Sequence, residues 1–117
     1  MVKLQNERGS VNISADVITW LAGDAATRCF GVKGMAGRSK DNGLVQLLRR
    51  ESMTKGVFVR SDGADGIIIE LHIVMEHGVN MSAVCRSIQK EVSYKVSSSA
   101  EVPVSRVDVF IDSINVD

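Results

Sequence analysis

Glycines recur at every third position in the segment from residue 30 to residue 38, where they occupy positions 31, 34 and 37. Lys33 lies between the first two glycines, and Arg38 follows the third. Glycine permits a positive φ and lets another molecule approach the backbone closely. Amide N–H groups exposed in this way, with a cation beside them, are suited to binding a phosphate group. The chemistry that this segment offers is therefore anion binding.

The tetrad Gly31-Val32-Lys33-Gly34 has the form of the G-x-x-G loop with which KH domains clamp a nucleic-acid backbone. On that interpretation the candidate residues for binding a partner or ligand are Gly31, Lys33, Gly34, Met35 and Arg38. The alternative is a structural loop that leads the chain out of a preceding helix, with Gly31 as the C-cap. A second G-x-x-G occurs in an acidic turn at 63–66, so the pattern is unspecific. The run contains neither G-x-G-x-x-G nor a Walker motif and predicts no nucleotide site.

Three titratable residues, Glu70, His72 and Glu76, share one face of a predicted strand and could form an acid–base set. A solvated sheet face explains the same residues as well. His72 and His77 are five residues apart at a strand end, a spacing that does not bring two imidazoles to one ion. Because no cluster of further ligands accompanies them, we expect no metal site and no cofactor.

The two cysteines, Cys29 and Cys85, fall one in each predicted long helix and lack the spacing of metal ligands. Neither has the electropositive setting of a reactive thiolate, so we expect two buried thiols that pack as small apolar side chains. A disulfide between them is the alternative, although such bonds are rare in a reducing cytoplasm. With no serine in a nucleophile elbow, the sequence predicts no catalytic residue and no enzyme.

Trp20 is the single tryptophan, and it lies on the polar side of the first predicted helix, near Asp16 and Asp24. Tryptophan is enriched in binding hot spots and at membrane interfaces. This favours a contact role for Trp20 in self-association, in binding a partner or at a membrane surface. The alternative is that a loop or the N-terminal arm folds over the ring.

The elements that position these residues follow from the spacing of apolar side chains. Residues 1–8 are predicted to be a flexible N-terminal arm, and 9–117 a single small domain. Strands are predicted at 10–13, 57–60, 67–76 and 104–116, long helices at 15–29 and 81–96, and a short helix at 44–50. Ser14 and Asn80 are the predicted N-caps of the long helices.

The predicted element order is β-α-α-β-β-α-β. A right-handed crossover from the strand at 67–76, through the second long helix, makes the last strand parallel to it. The fold class is therefore α+β, with a mixed β-sheet covered by two long helices and one short helix.

Charge and hydropathy restrict the function classes further. Lys plus Arg and Asp plus Glu number 14 each, and this zero net charge argues against a dedicated nucleic-acid binder. It also leaves little repulsion between copies, which favours self-association. We expect no secretory leader, because the first residues contain no apolar run, and no transmembrane segment, because no run approaches about 20 apolar residues.

Six segments together resemble the alkaline shock protein family, small bacterial proteins tied to cell-envelope stress, from about Gly9 to Asn115. The segments are Gly9-Ser10-Val11-Asn12-Ile13-Ser14, the alanine-rich helix leading into Gly31-Val32-Lys33-Gly34-Met35, Lys55-Gly56-Val57-Phe58-Val59, the isoleucine-rich strand ending in His77-Gly78-Val79-Asn80, Val84-Cys85-Arg86-Ser87-Ile88-Gln89, and Val107-Asp108-Val109. Each segment is weakly specific alone, and their order and spacing carry the resemblance.

The resemblance implies a non-enzymatic, cytoplasmic α+β protein that associates with the envelope through partners, tends to self-assemble, and belongs in a lipid-metabolism context. The chain has His77 where many relatives have tyrosine, and it lacks the long charged tails of the stress-induced members. Both departures favour a housekeeping version. We therefore predict a scaffold or adaptor that works through protein–protein contacts and self-association, cytoplasmic or peripheral to the inner face of the membrane. The alternative is a KH-like nucleic-acid-binding module.

Overall fold

The computed structural model describes residues 2–6, 9–38 and 43–115. Seven strands, two α-helices and one 3₁₀ helix follow one another in these ranges. They are β1 (Val2–Asn6), β2 (Gly9–Ile13), α1 (Ala15–Thr27), β3 (Val32–Arg38), β4 (Val45–Leu47), the 3₁₀ helix (Arg50–Gly56), β5 (Val57–Ser61), β6 (Ile67–Glu76), α2 (Met81–Ala100) and β7 (Val104–Asn115).

Strand β6 is the centre of a five-stranded sheet. Along one edge β6 pairs with β7, and the two strands are parallel. Strands β5 and β3 share the other edge of β6. β5 pairs with the first half of β6 and β3 pairs with the second half, and both pairings are antiparallel. Strand β4 pairs with the outer edge of β3, while β1 and β2 form a separate hairpin. The predicted mixed sheet and the parallel crossover are confirmed.

The core lies between this sheet and the two α-helices. Every second residue of β6 from Ile67 to Met75 is buried, because successive side chains of a strand point to opposite faces. The helices cover that face with residues such as Ile18 and Ala22 from α1 and Ile88 from α2, all fully buried. The small side chains of α1 allow this helix to lie close to the strands.

Both α-helices begin at their predicted N-caps. The Ser14 side chain accepts a hydrogen bond from the Asp16 amide at 3.1 Å, and the Asn80 side chain accepts one from the Ala83 amide at 3.1 Å. Helix α2 ends at Glu101, which adopts a left-handed conformation with φ of 55°. None of the described helices has the length and apolar character needed to cross a bilayer.

Two β-bulges interrupt the pairing of β7 with β6, one at Ser105 and one at Asp112. Each inserts one extra residue into β7 and so shifts the alternation of its side chains. On α2, Gln89 donates a hydrogen bond from Nε2 to the Val107 carbonyl at 3.0 Å. Among the described residues, β7 therefore has a strand on one edge only, and that strand follows an interrupted register.

The short helix predicted at 44–50 is wrong. Residues 45–47 form β4, and the short helix is the 3₁₀ helix that begins at Arg50. Glycines at 34 and 37 explain the difference, because a Cβ on Gly34 would lie 2.8 Å from Leu47 Cδ1 and a Cβ on Gly37 would lie 2.7 Å from Leu48 Cδ2. The missing side chains make room for two leucines, so pairing with β3 outweighs the helical spacing of the leucines.

The N-terminal segment forms a strand that the sequence analysis did not anticipate. Residues 2–6 pair with β2, and the register sets Val2 opposite Ile13 and Leu4 opposite Val11. Residues 1, 7 and 8 lie outside the described residues, and the flexible arm stays a prediction. Part of the predicted polar loop, residues 39–42, and the last two residues of the chain lie outside them too.

Candidate functional site

Helix α1 presents Trp20, Asp24 and Arg28 along one stripe, because residues four positions apart share a helix face. The Asp24 carboxylate is only 5% exposed. It accepts hydrogen bonds from Arg50 Nη2 at 2.6 Å and from Arg28 Nε at 3.1 Å. The bond from Arg50, more than the one from Arg28, holds the pKa of Asp24 below its usual value, although burial acts in the opposite direction.

Trp20 is half-buried, with 47% of its surface exposed. The Arg50 guanidinium lies 5.8 Å from the centroid of its ring, within the range of a cation–π contact. Arg50 of the 3₁₀ helix therefore covers part of the indole ring. The alternative interpretation of Trp20 assigns this covering role to a loop or to the N-terminal arm. The exposed remainder keeps a contact role for Trp20 as a prediction.

The glycine-rich segment is not a loop. Residues 32–38 form β3, whose backbone pairs with β6 on one edge and with β4 on the other. Gly34 and Met35 are buried, Met35 completely, whereas Lys33 and Arg38 are exposed. Gly34 and Gly37 therefore make room for Leu47 and Leu48, and the KH-like interpretation loses its structural basis.

Gly31 is not the C-cap of α1, since the helix ends at Thr27 and Arg28 takes that position. Gly31 lies in the turn before β3 with φ of 93°, a left-handed conformation that L side chains rarely adopt. A Cβ there would also lie 2.8 Å from Val84 Cγ2 of α2. The residue is buried and serves the turn.

The sheet face opposite the α-helices carries the other candidate residues, and we call it the outer sheet face. Its alternating positions follow from the strand registers. It comprises Phe58 and Arg60 of β5, Ile68, Glu70, His72, Val74 and Glu76 of β6, and Arg106, Asp108, Phe110 and Asp112 of β7.

His72 lies at the centre of the outer sheet face between two carboxylates. Its Nδ1 is 2.9 Å from Asp112 Oδ2, and its Nε2 is 2.7 Å from Glu70 Oε2. Its ring stacks on Phe110 with centroids 5.0 Å apart and meets Phe58 edge-on at 5.6 Å. The cluster links all three central strands of the sheet.

Arginines of the flanking strands pair with two carboxylates of the face. Arg60 Nη1 lies 3.8 Å from Glu70 Oε1, and Arg106 Nε lies 2.9 Å from Asp108 Oδ1. The structure therefore brings together only part of the predicted acid–base set. Glu70 contacts His72, whereas among the described residues no hydrogen bond joins Glu76 to His72 or Glu70. Asp112 completes the cluster. Asp112 lies at a β-bulge. The position of this bulge depends on the pairing with β6, so it cannot be predicted from residue spacing.

A cleft of about 590 Å³ lies between α1 and α2, away from His72. Its lining includes Arg28, Cys29, Phe30, Ser87, Glu91 and Tyr94. Burial raises the pKa of the Cys29 thiol, and burial raises the pKa of the Cys85 thiol as well. A raised pKa leaves less thiolate at neutral pH, so neither cysteine is set up as a nucleophile. Both cysteines are free.

Within residues 2–6, 9–38 and 43–115, no group of three His, Cys, Asp or Glu side chains is arranged to hold a metal ion. The carboxylates around His72 bond to its nitrogens instead of pointing with them at a common position. The geometry of the outer sheet face is that of an open surface with paired charges and exposed aromatic rings.

Comparison with known proteins identifies the relatives of this fold. The sequence model of the alkaline shock protein 23 family, described as having a cell envelope-related function, matches residues 3–116. The chain belongs to that family. This confirms the resemblance carried by the six segments.

Individual relatives cover the chain from end to end. The uncharacterized protein YloU of Bacillus subtilis (strain 168) is 33% identical over 116 residues, which cover 98% of this chain and 96% of YloU. The uncharacterized protein Spy1614 of Streptococcus pyogenes serotype M6 is 38% identical over 117 residues, covering 98% and 95%. No solved structure matches the chain. Membership in the alkaline shock protein 23 family relates the protein to a cell envelope-related function. The choice of candidate site residues rests on the geometry described above.

Proposed function

We propose that the protein is a non-enzymatic scaffold or adaptor of the cell envelope or of lipid metabolism, which acts through protein–protein contacts, including contacts between its own copies. It works in the cytoplasm or at the inner face of the membrane, where partners hold it. The family's cell envelope-related function supports the setting, and the outer sheet face supports the mode of action.

The observation that carries the proposal is the exposure of aromatic rings at the centre of the outer sheet face. Phe58 is 55% exposed and Phe110 is 44% exposed, and both contact His72 between them. A sheet with one solvated face ordinarily turns polar side chains outward. Contiguous apolar surface with a polar rim is typical of a protein interaction site. The arginines and carboxylates around these rings form such a rim.

The polar groups of the face support contact in preference to catalysis. Both ring nitrogens of His72 lie within hydrogen-bond distance of a carboxylate, one from Asp112 and one from Glu70, and the three side chains lie on a sheet face. A general base needs a substrate proton within reach in a cavity that positions it. Here the same groups join β6 to β7 and lie between two aromatic rings, which suits a rigid docking surface.

A matched pair of aromatic substitutions tests the proposal. Phe110→Asp places a charge at the centre of the outer sheet face, and Tyr94→Asp makes the same kind of change on α2, where the ring is 70% exposed. We expect Phe110→Asp to lose both self-association in light scattering and most of the partner protein captured from a membrane fraction, while Tyr94→Asp keeps both. Equal behaviour of the two folded variants in both assays contradicts the proposal.

A further inference from the structure

A basic cleft lies between the β3–β4 pair and the 3₁₀ helix, and none of its lining residues belongs to the outer sheet face. Its volume is about 450 Å³, and its lining includes Gly37, Arg38, Gln46, Arg49, Ser52 and Lys55. We propose that this cleft binds a phosphomonoester, the terminal phosphate group of a small metabolite or of a lipid headgroup. The proposal goes beyond the scaffold role, because it assigns a ligand to a surface that the scaffold role does not use.

The cleft concentrates positive charge in a chain whose net charge is zero. Arg38, Arg49 and Lys55 are exposed and line it together, whereas among the described residues no Asp or Glu contributes to the lining. Within the part of the chain that the structure describes, none of these three cations forms an ion pair. Like charges without a counterion repel one another, so an anion in the cleft is attracted by all three.

The two consecutive arginines, Arg49 and Arg50, serve different purposes. Arg50 bonds to the buried carboxylate of Asp24, so its charge is used within the fold. Arg49 lines the cleft instead, and the nearby Glu51 is exposed and lies outside the lining. Of the candidate residues in the glycine-rich segment, only Arg38 lines this cleft. The anion site therefore depends on residues from both walls of the cleft, not on the G-x-x-G pattern.

The donors of the cleft match a doubly charged phosphate better than a carboxylate. A guanidinium group binds phosphate oxygens through two parallel hydrogen bonds, and two of the three cations are arginines. A phosphomonoester carries a charge of about −1.5 to −2 at pH 7 and three acceptor oxygens, whereas a carboxylate has a single charge and two oxygens. Arg38 Nη1 donates to the Gly43 carbonyl at 3.2 Å, a neutral group that leaves the arginine's charge uncompensated. The Ser52 hydroxyl and the Gln46 amide add neutral donors to the lining.

The rest of the cleft fits a small carbon skeleton better than a nucleic acid. Leu47 and Leu48 also line it and supply its apolar part. Its volume falls within the range of about 300–1,000 Å³ that is typical of small-molecule sites. No aromatic side chain of the described residues lines it, whereas proteins bind single-stranded nucleic acids by stacking the bases on aromatic rings. A nucleic-acid strand would meet the charges without a platform for its bases.

Titration with a soluble phosphomonoester tests the site. We expect glycerol 3-phosphate to shift the amide NMR signals of residues around the cleft saturably, and glycerate, its carboxylate analogue, to bind at least tenfold more weakly at the same ionic strength. Arg49→Gln and Lys55→Gln should each weaken the binding of glycerol 3-phosphate at least tenfold, because each removes a charge-assisted hydrogen bond. Arg86→Gln removes the same charge from the exposed surface of α2 and should bind like the wild type.

Vesicles separate the two sources of the phosphate group. Co-sedimentation with phosphatidylcholine vesicles that contain phosphatidic acid measures binding to a lipid phosphomonoester. Phosphatidylglycerol at the same mole fraction supplies a phosphodiester with a single charge and should bind at least tenfold more weakly. Binding to phosphatidic acid, to glycerol 3-phosphate or to both supports the site if Arg49→Gln loses it, and the probe that binds identifies the source.

Three results would overturn the inference: no saturable binding of either phosphomonoester by the wild type, equal binding by folded Arg49→Gln and wild type, or equal binding of the phosphomonoester and its control. Stronger binding of poly(U) RNA than of glycerol 3-phosphate would also overturn it. Arg49→Gln leaves the outer sheet face intact, so self-association and partner capture should remain as in the wild type. Phe110→Asp should bind glycerol 3-phosphate normally. The phosphate site and the scaffold role can therefore fail independently of each other.

Discussion

Arg50 reaches from the first turn of the 3₁₀ helix to Asp24 in the last turn of α1, with Nη2 of the arginine 2.6 Å from Oδ1 of the aspartate. The carboxylate is buried, while the side chain of Arg50 remains 55% exposed. Its guanidinium also lies over Trp20. One arginine therefore attaches a short irregular helix to α1 and at the same time covers part of the only tryptophan.

The first prediction concerns Asp24→Asn. Replacing the carboxylate removes two charge-assisted hydrogen bonds, and we expect the free energy of unfolding at pH 7 to fall by about 1–3 kcal/mol. The pKa of Asp24 is lowered in the folded state, so its contribution is present above the unfolded pKa of about 4 and is lost as pH falls through the folded value. Urea denaturation from pH 7 to pH 3 should show wild type and variant converging below about pH 4.

Asp65→Asn is the matched control for that series. Asp65 is exposed in the turn between β5 and β6, and its substitution should change stability by less than about 0.5 kcal/mol. A stability difference between wild type and Asp24→Asn that stays constant down to pH 3 would show that the two arginines do not hold the carboxylate in its charged form.

The second prediction concerns Trp20. Trp20→Ala removes a half-buried ring and a cation–π contact, which costs roughly 1 kcal/mol of folding stability, measured by thermal denaturation followed by circular dichroism. Trp20→Asp should in addition lower the capture of partner proteins if the exposed part of the indole is a contact. Arg50→Gln leaves the indole in place and serves as the comparison. Unchanged capture by Trp20→Asp would remove Trp20 from the contact surface.

The third prediction compares two glycines. A Cβ on Gly56 would lie 2.8 Å from the Ala36 carbonyl oxygen and 3.2 Å from that of His72, both backbone atoms of the sheet. Gly56→Ala should therefore cost about 1–3 kcal/mol of stability through overpacking. Gly34→Ala meets the far end of Leu47, which is 47% exposed and can move, and should cost less than about 1 kcal/mol. Urea denaturation of both variants measures the difference, and an equal cost would contradict it.

The fourth prediction concerns the bridge on the outer sheet face. In His72→Gln both amide donors sit on one nitrogen, so they do not replace two ring nitrogens that face different carboxylates, and we expect a loss of about 1–2 kcal/mol of folding stability. His77→Gln changes an exposed residue of the turn after β6 and should have little effect. A double-mutant cycle of His72→Gln with Asp112→Asn should give a coupling energy of about 0.5–2 kcal/mol. Additive effects would mean that the two side chains do not interact.

Long periodic segments allowed the main elements to be predicted. The alternation in 67–76 and the small apolar stripe of α1 depend on burial against a large core, which many residues enforce together. The N-caps Ser14 and Asn80 depend only on neighbouring residues, so they too could be predicted from the sequence. The helix predicted at 44–50 does not form, because Leu47 and Leu48 fill the space beside two glycines that lie ten or more residues earlier in the chain.

The candidate site was predictable only as far as one strand extends. The alternation along β6 places Glu70 and His72 on the same face, and the structure joins them. Asp112 comes from another strand, where it lies at a β-bulge, and its Oδ2 is 2.9 Å from His72 Nδ1. The pairing of Asp24 with Arg50 spans 26 residues. Contacts of this kind depend on how elements pack, which residue spacing within one element does not encode.

The irregular edge of β7 bears on how the protein behaves at high concentration. Between its bulges only Arg106–Ile111 continue a regular ladder, and Gln89 already occupies the Val107 carbonyl. A strand from another molecule would find few free backbone N–H and C=O groups at matching spacing along β7. This edge of the sheet therefore resists strand addition and fibre formation. At high concentration, copies of the protein are therefore not expected to join through the β7 edge.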